Sequence, residues 1–184
     1  MSKKVLMILA DGFEEVEAIV PADILRRAGI NLVLCGLTKK EVIGSHKIKI
    51  LADITFDQAK EDYDVLVLPG GGQGAENLAG SDKVISLIKK MYEQGRIIAA
   101  ICASPVVVLA KSGILSGKKA TCYPGMEGGF SETVTVLNQP LVVDGNIITA
   151  NGPGGAVAFG FKLVEVLSGM DVVTELKKAM CFID

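Results

Sequence analysis

Apolar positions in this chain come in short blocks rather than in strict alternation. Runs of Val, Ile, Leu and Ala, each closed by Gly, Pro or Asp, are separated by longer stretches with helical spacing. Such runs mark strands buried on both faces. The first predicted strand covers 4–10, and Asp11-Gly12-Phe13 turns it into a helix from about Glu14 to Ala28, stopped by Gly29 and kinked at Pro21. A second strand spans Asn31–Leu37. Residues 41–51 read as a hairpin with Gly44-Ser45-His46-Lys47 as its turn, followed by a short helix near Asp57–Glu61. An inner strand, Val65–Leu68, ends at Pro69-Gly70-Gly71-Gly72, and helices near Gln73–Leu78 and Asp82–Gln94 lead to a central strand, Ile97–Ile101. The next helix is expected to take Ser104 as its N-cap and Pro105 as its first residue, and to end at Lys111 or Ser112 before Gly113. A strand near Ala120–Cys122, a loop or short helix over 123–133, and strands at Val134–Val136, Leu141–Val143 and Asn146–Ala150 follow, the last two joined by the Asp144-Gly145 turn. The loop Asn151–Gly155 precedes a helix over Ala156–Leu167, stopped by Gly169, and a last helix over Val172–Ala179.

Strand, helix and strand joined this tightly imply right-handed parallel crossovers, hence an α/β fold with a mostly parallel central sheet. No repeat or low-complexity linker interrupts the pattern, which predicts one domain over 1–184. Sites in such sheets lie at the carboxyl ends of the strands. Four loops qualify: Asp11 to Glu17, Pro69 to Gly74, Cys102 to Pro105, and Asn151 to Gly155.

Composition narrows the function. With 184 residues, a formal net charge of -2 and no tryptophan, the chain has no basic footprint for nucleic acid. Four scattered cysteines and a single histidine argue against a metal centre or a disulfide framework. The apolar run Val5–Ala10 is too short for a signal segment, and Ile97–Ala110 is too short for a membrane span and contains Pro105. The expectation is a cytoplasmic protein with reduced thiols and no membrane or nucleic-acid partner.

Cys102 falls in the turn between the central strand and a helix. A cysteine in such a place is by itself most often a packing residue. A helix N-terminus beside it, however, favours a thiolate and predicts a thiol pKa below about 8.5. Carboxylates at Glu14, Glu15 and Glu17 and the glycine-rich loops converge on the same edge. The amides of Gly71 and Ala103 would serve a developing oxyanion, with Gly70 beside them lining the substrate site. The spacing Gly70-x-Gly72-x-x-Ala75 formally matches a dinucleotide fingerprint, but it follows an internal strand, and the next strand ends in Ile101-Cys102 where a ribose-binding acid is required. His46 reads as a solvated turn residue, Cys35 and Cys122 as packing, and Cys181 as exposed.

Taken together, Leu68-Pro69-Gly70-Gly71, Ala99-Ala100-Ile101-Cys102-Ala103-Ser104-Pro105, Ala10-Asp11-Gly12-Phe13-Glu14-Glu15-Val16-Glu17 and Gly152-Pro153-Gly154 resemble the ThiJ/PfpI superfamily, and within it the DJ-one-like deglycase branch. The resemblance covers essentially the whole chain. It implies a flavodoxin-like three-layer sandwich, a homodimer, Cys102 on a strained elbow, and Glu17 beside the sulfur, protonated so that it donates to the thiolate. Arg26 and Arg27 match a pair near the family's dimer surface. It further implies a cofactor-independent glyoxalase or deglycase acting on methylglyoxal, glyoxal or their protein adducts. The alternative is a peroxide-sensing stress protein or redox-regulated chaperone that uses the same cysteine. Three positions depart from the family pattern. Ala103 stands where the protease-like branch has histidine; Tyr123 replaces a histidine before Pro124, which leaves any proton shuttling to Glu17, Tyr123 or water; and Leu51 replaces a second oxidisable cysteine before Asp53. The thiamine-biosynthesis label attached to this family finds no P-loop or phosphate clamp here.

Overall fold

The computed structural model describes residues 3–60 and 62–182. The first strand, β1 (Lys4–Leu9), leads into α1 (Glu15–Arg27) and returns as β2 (Asn31–Gly36). The hairpin β3 (Glu41–Ile43) and β4 (Lys49–Leu51) follows, then β5 (Ile54–Thr55) and a single 3-10 turn, Phe56–Gln58. That turn stands where a short helix is predicted, and the end of the prediction, Glu61, lies outside the described residues. Next come β6 (Val65–Leu68), α2 (Gly72–Ala79), α3 (Asp82–Glu93) and β7 (Ile97–Ile101). After β7 the chain makes a wide π-type turn over Pro105–Leu109 before α4 (Ala110–Ser112), which Gly113 ends at φ 81°. The remaining elements are β8 (Lys119–Ala120), β9 (Thr135–Val136), β10 (Leu141–Asp144), β11 (Ile147–Ala150), α5 (Ala156–Ser168) and α6 (Met170–Ala179). The strand predicted at Ala120–Cys122 is thus shifted back, because Thr121 spends its amide on the Thr149 hydroxyl instead of on a ladder.

Among the described residues, seven strands form one sheet in the order β10-β11-β7-β6-β1-β2-β5, parallel except for the β10–β11 hairpin. Every side chain of β6, and of β7 from Ile98 onward, is buried, as the unbroken apolar runs require. The sheet grows outward in both directions from β1. The β1–β2 crossover therefore puts α1 on one face, and the β6–β7 crossover puts α2 and α3 on the other. The contacts agree: α1 packs on α5 and α5 on α6, while α2 and α3 pack together and reach the turn after β7 and α4. The α1–α5 approach is close because Gly160 has no side chain; a Cβ there would lie 2.8 Å from Ile24 Cδ1 and 3.1 Å from Pro21 Cα. The helix runs unbroken through Pro21. Among the described residues, no helix is long and apolar enough to cross a membrane.

Candidate active site

Cys102 is the residue at which β7 stops being a strand. Its N–H still donates to the Ala150 carbonyl of β11 at 2.9 Å, and its own carbonyl accepts from Tyr123 N at 2.9 Å. Held from both sides, it adopts φ 65°, a left-handed conformation that costs a non-glycine residue energy and persists only where the surroundings impose it. The predicted N-cap does not form. Ser104 is already helical, and its hydroxyl donates to the Pro69 carbonyl at 2.6 Å, tying the elbow to the loop after β6 rather than to its own helix.

Glu17 reaches the same point from α1. It is fully buried, and its Oε2 accepts from Gly70 N at 2.9 Å; Oε1 is the one buried side-chain polar atom among the described residues with no hydrogen-bond partner. The carboxyl and the Cys102 thiol lie within hydrogen-bonding reach of each other. Burial pushes the Glu17 carboxyl up to about 7, against the lowering effect of its bonds to Cys102 and Gly70. Gly70 is what lets the two groups meet: a Cβ there would lie 2.5 Å from Cys102 Cβ and 2.6 Å from Glu17 Oε2. Its amide donates to Glu17.

The amides of Gly71 and Ala103 lie beside the Cys102 sulfur, and both favour a thiolate. Burial nevertheless wins and, with the Glu17 charge, pushes the thiol up to about 12, opposite to the lowering expected from a helix N-terminus. The reason is that Cys102 is only 8% exposed and faces a carboxyl. Thiol and carboxyl titrate as a coupled pair, in which the Glu17 charge strengthens the thiol's hold on its proton. When Glu17 keeps its proton, a like charge beside the sulfur becomes a donor to it.

Gly71 (φ 88°) is pressed against the strap of residues 11–14; a Cβ on it would lie 2.3 Å from Gly12 O and 2.7 Å from Glu14 N. The sequence reading missed what lies behind this strap. Glu15 is only 4% exposed, and its Oε1 accepts from His46 N at 2.8 Å while its Oε2 lies 2.9 Å from His46 Nδ1 and 3.1 Å from Ser45 Oγ. These bonds bring the Glu15 carboxyl down to about 2 against its burial, and the same pairing raises the imidazole. The His46 ring is exposed but is not a free turn residue.

Tyr123 is exposed and stands over Gly152, beside a cavity of about 350 Å³ that includes Pro124, Pro140 and Asn151. A cavity of about 600 Å³ lies elsewhere, between Asp11, Lys39, Phe56 and Lys83, and includes neither Cys102 nor Glu17. Arg26 pairs with Asp53 and Arg27 with Asp23 on the exterior. Cys35 and Cys122 are buried and Cys181 is exposed.

Comparison with known proteins gives this geometry a context. The profile of the DJ-1/PfpI family matches residues 3–166. The chain is 42% identical to Protein DJ-1 homolog B of Arabidopsis thaliana over 96% of its own length, but spans only 40% of that relative. It is 43% identical to Protein dj-1beta of Drosophila melanogaster, over 98% of this chain and 97% of that one, and 32% identical to Deglycase PH1704 of Pyrococcus horikoshii, over 89% and 99%. The crystal structure of Drosophila melanogaster DJ-1beta superposes with a TM-score of 0.95, covering all of both chains.

Proposed function

The chain belongs to the DJ-1/PfpI family, and from that premise we propose that it is a cofactor-independent, cysteine-dependent glyoxalase or deglycase. The observation that carries this reading is the buried Glu17 carboxyl, one oxygen bonded to Gly70 N and the other unpartnered, packed with Cys102 around Gly70. A relative named a deglycase supports the reaction class.

In this reading the Cys102 sulfur attacks the aldehyde carbon of methylglyoxal, and the aldehyde oxygen takes up a proton to give a hemithioacetal. Glu17, as carboxylate, removes the proton from that carbon and returns it to the neighbouring carbonyl carbon, while the hydroxyl proton passes to that carbonyl's oxygen. The first carbon is thereby oxidised and the second reduced, so no outside oxidant or cofactor is required. Water then cleaves the resulting thioester, releasing lactate and the thiol. A glyoxal adduct on a protein would use the same pair of groups, and a homodimer in the cytoplasm completes the proposal.

Lactate formation from methylglyoxal without glutathione tests it. Production by the native protein and none by Cys102→Ser is the expected result, and equal production by both overturns the assignment. The amides beside the sulfur favour a second reading, since the same donors would hold an oxidised, anionic sulfur in a peroxide sensor. Mild peroxide should then add two oxygens to Cys102 well before Cys35 or Cys122; equal oxidation of all three by mass spectrometry sinks that reading.

A further inference from the structure

Glu15 takes no part in the chemistry proposed above, yet it is a carboxylate almost completely removed from water at the first position of the helix that carries Glu17. The turn between β3 and β4 is folded around it. Besides the contacts of its two oxygens with Ser45 and His46, Ile48 N donates to Oε1 at 3.4 Å. Gly44 must be glycine for the same reason, because a Cβ there would lie 2.2 Å from Glu15 Oε1.

The turn is also bonded to the strap that precedes α1. Gly12 N donates to Ile43 O at 2.7 Å, Ser45 N to Phe13 O at 2.8 Å, and Ile43 N to Asp11 Oδ1 at 2.9 Å. The other side of the strap meets the catalytic loop: Glu14 N donates to Gly70 O at 2.9 Å and Gly74 N to Gly12 O at 3.1 Å. Gly70 N in turn holds Glu17. A continuous set of short bonds therefore runs from the hairpin turn, through residues 11–14, to the groups that surround the sulfur.

We infer that Glu15 is a positioning residue for the Cys102–Glu17 pair, and that the hairpin turn exists to grip it, fixing the strap against Gly70 and Gly71 so that carboxyl, amides and sulfur stay within contact. The inference rests on the reading of Cys102 and Glu17 as the reacting pair. Its predictions separate geometry from charge. In Glu15→Ala the grip is lost and water gains access to Glu17, whereas Glu15→Gln loses the charge but keeps an oxygen for the His46 and Ile48 amides.

The experiment follows the Glu17 carboxyl by carbon-detected NMR titration in the native protein, Glu15→Ala and Glu15→Gln, alongside lactate production by each. The Glu17 midpoint should fall by about one pH unit in Glu15→Ala, as partial resolvation dictates, and stay near native in Glu15→Gln. The turnover number should fall about tenfold in Glu15→Ala with KM little changed, because misplaced reacting groups cost rate rather than binding, and Glu15→Gln should restore most of it. A folded Glu15→Ala with an unmoved midpoint overturns the inference, as does a Glu15→Gln midpoint shifted as far as that of Glu15→Ala, which would make the effect one of charge. Should Glu15→Ala fail to fold, Ser45→Gly combined with His46→Ala removes only the side-chain half of the grip, and the same two readings decide. A native protein that makes no lactate defeats the enzymatic reading, while the titration still decides the role of Glu15.

Discussion

Two carboxyls two residues apart on α1 respond to burial in opposite ways, and the difference is one of partners. Glu15 is ringed by amides and an imidazole and sits at about 2; Glu17 has a single amide and a thiol and sits at about 7, both from an ordinary value of 4.5. For Glu15, whose folded value is depressed, the stabilisation is present above 4.5 and is lost as pH falls through 2. For Glu17, whose folded value is raised, it is present below 4.5 and is lost as pH rises through 7. Each shift corresponds to about 3 kcal/mol. Urea denaturation should therefore find the native protein losing about 3 kcal/mol between pH 5 and pH 8 through Glu17, and Glu17→Gln should lack that loss. A Glu17→Gln curve parallel to the native one would contradict the assignment. The same variant should lower lactate formation by about 10²–10⁴, the usual worth of a general acid-base group. Its thiol should nevertheless alkylate with iodoacetamide at least as fast as native, since the like charge beside the sulfur is gone. At this scale the sequence brings Cys102, Glu15 and Glu17 to one edge of the sheet but does not tell the surroundings of the two carboxyls apart. Glu14, Glu15 and Glu17 read alike as carboxylates converging on one edge, and what sets Glu15 apart is a turn some 30 residues away. The helix-terminus argument for a low thiol pKa failed for a related reason: how deeply a sulfur lies depends on groups distant in the chain.

Element boundaries followed the apolar pattern wherever a strand is buried on both faces. The ends of β6 and β7 coincide with the runs Val65–Leu68 and Ile97–Ile101, because in those positions the hydrophobic block and the ladder are the same thing. The pattern misled where a side chain bonds outside its own element. Ser104 looks like a cap but is drawn to Pro69, and the chain opens into a π-type turn instead of starting a regular helix; β8 is displaced because Thr149 intercepts the Thr121 amide. The α1–α5 contact depends on a single absent side chain. Gly160→Val would place its branched side chain against Pro21 and Ile24, and overpacking of this kind costs about 2 kcal/mol, or roughly 4–8 °C in Tm for a chain of this size. A thermal scan checks it, and an unchanged Tm would mean that the helices part without cost.

At the level of the whole molecule, apolar side chains remain uncovered, among them Val16 and Ile19 on α1, and Ile48 and Leu51 on the hairpin that Glu15 ties to it. Leu51 is 75% exposed, an uncovered apolar side chain of the kind that the proposed homodimer would bury. Sedimentation velocity should give a dimer, and the paired change Ile19→Glu with Leu51→Glu should shift it toward monomer; a native monomer removes the dimer from the proposal. The parallel order of the central strands also has a consequence in time. The ribosome makes Glu17, then Gly70 and Gly71, then Cys102, yet Cys102 is held in its left-handed turn through bonds to Tyr123 and Ala150. Until β11 has emerged and docked beside β7, the growing chain carries an ordinary thiol on a flexible segment. The left-handed turn at Cys102 is thus set late, on a chain whose Glu17, Gly70 and Gly71 have already been made.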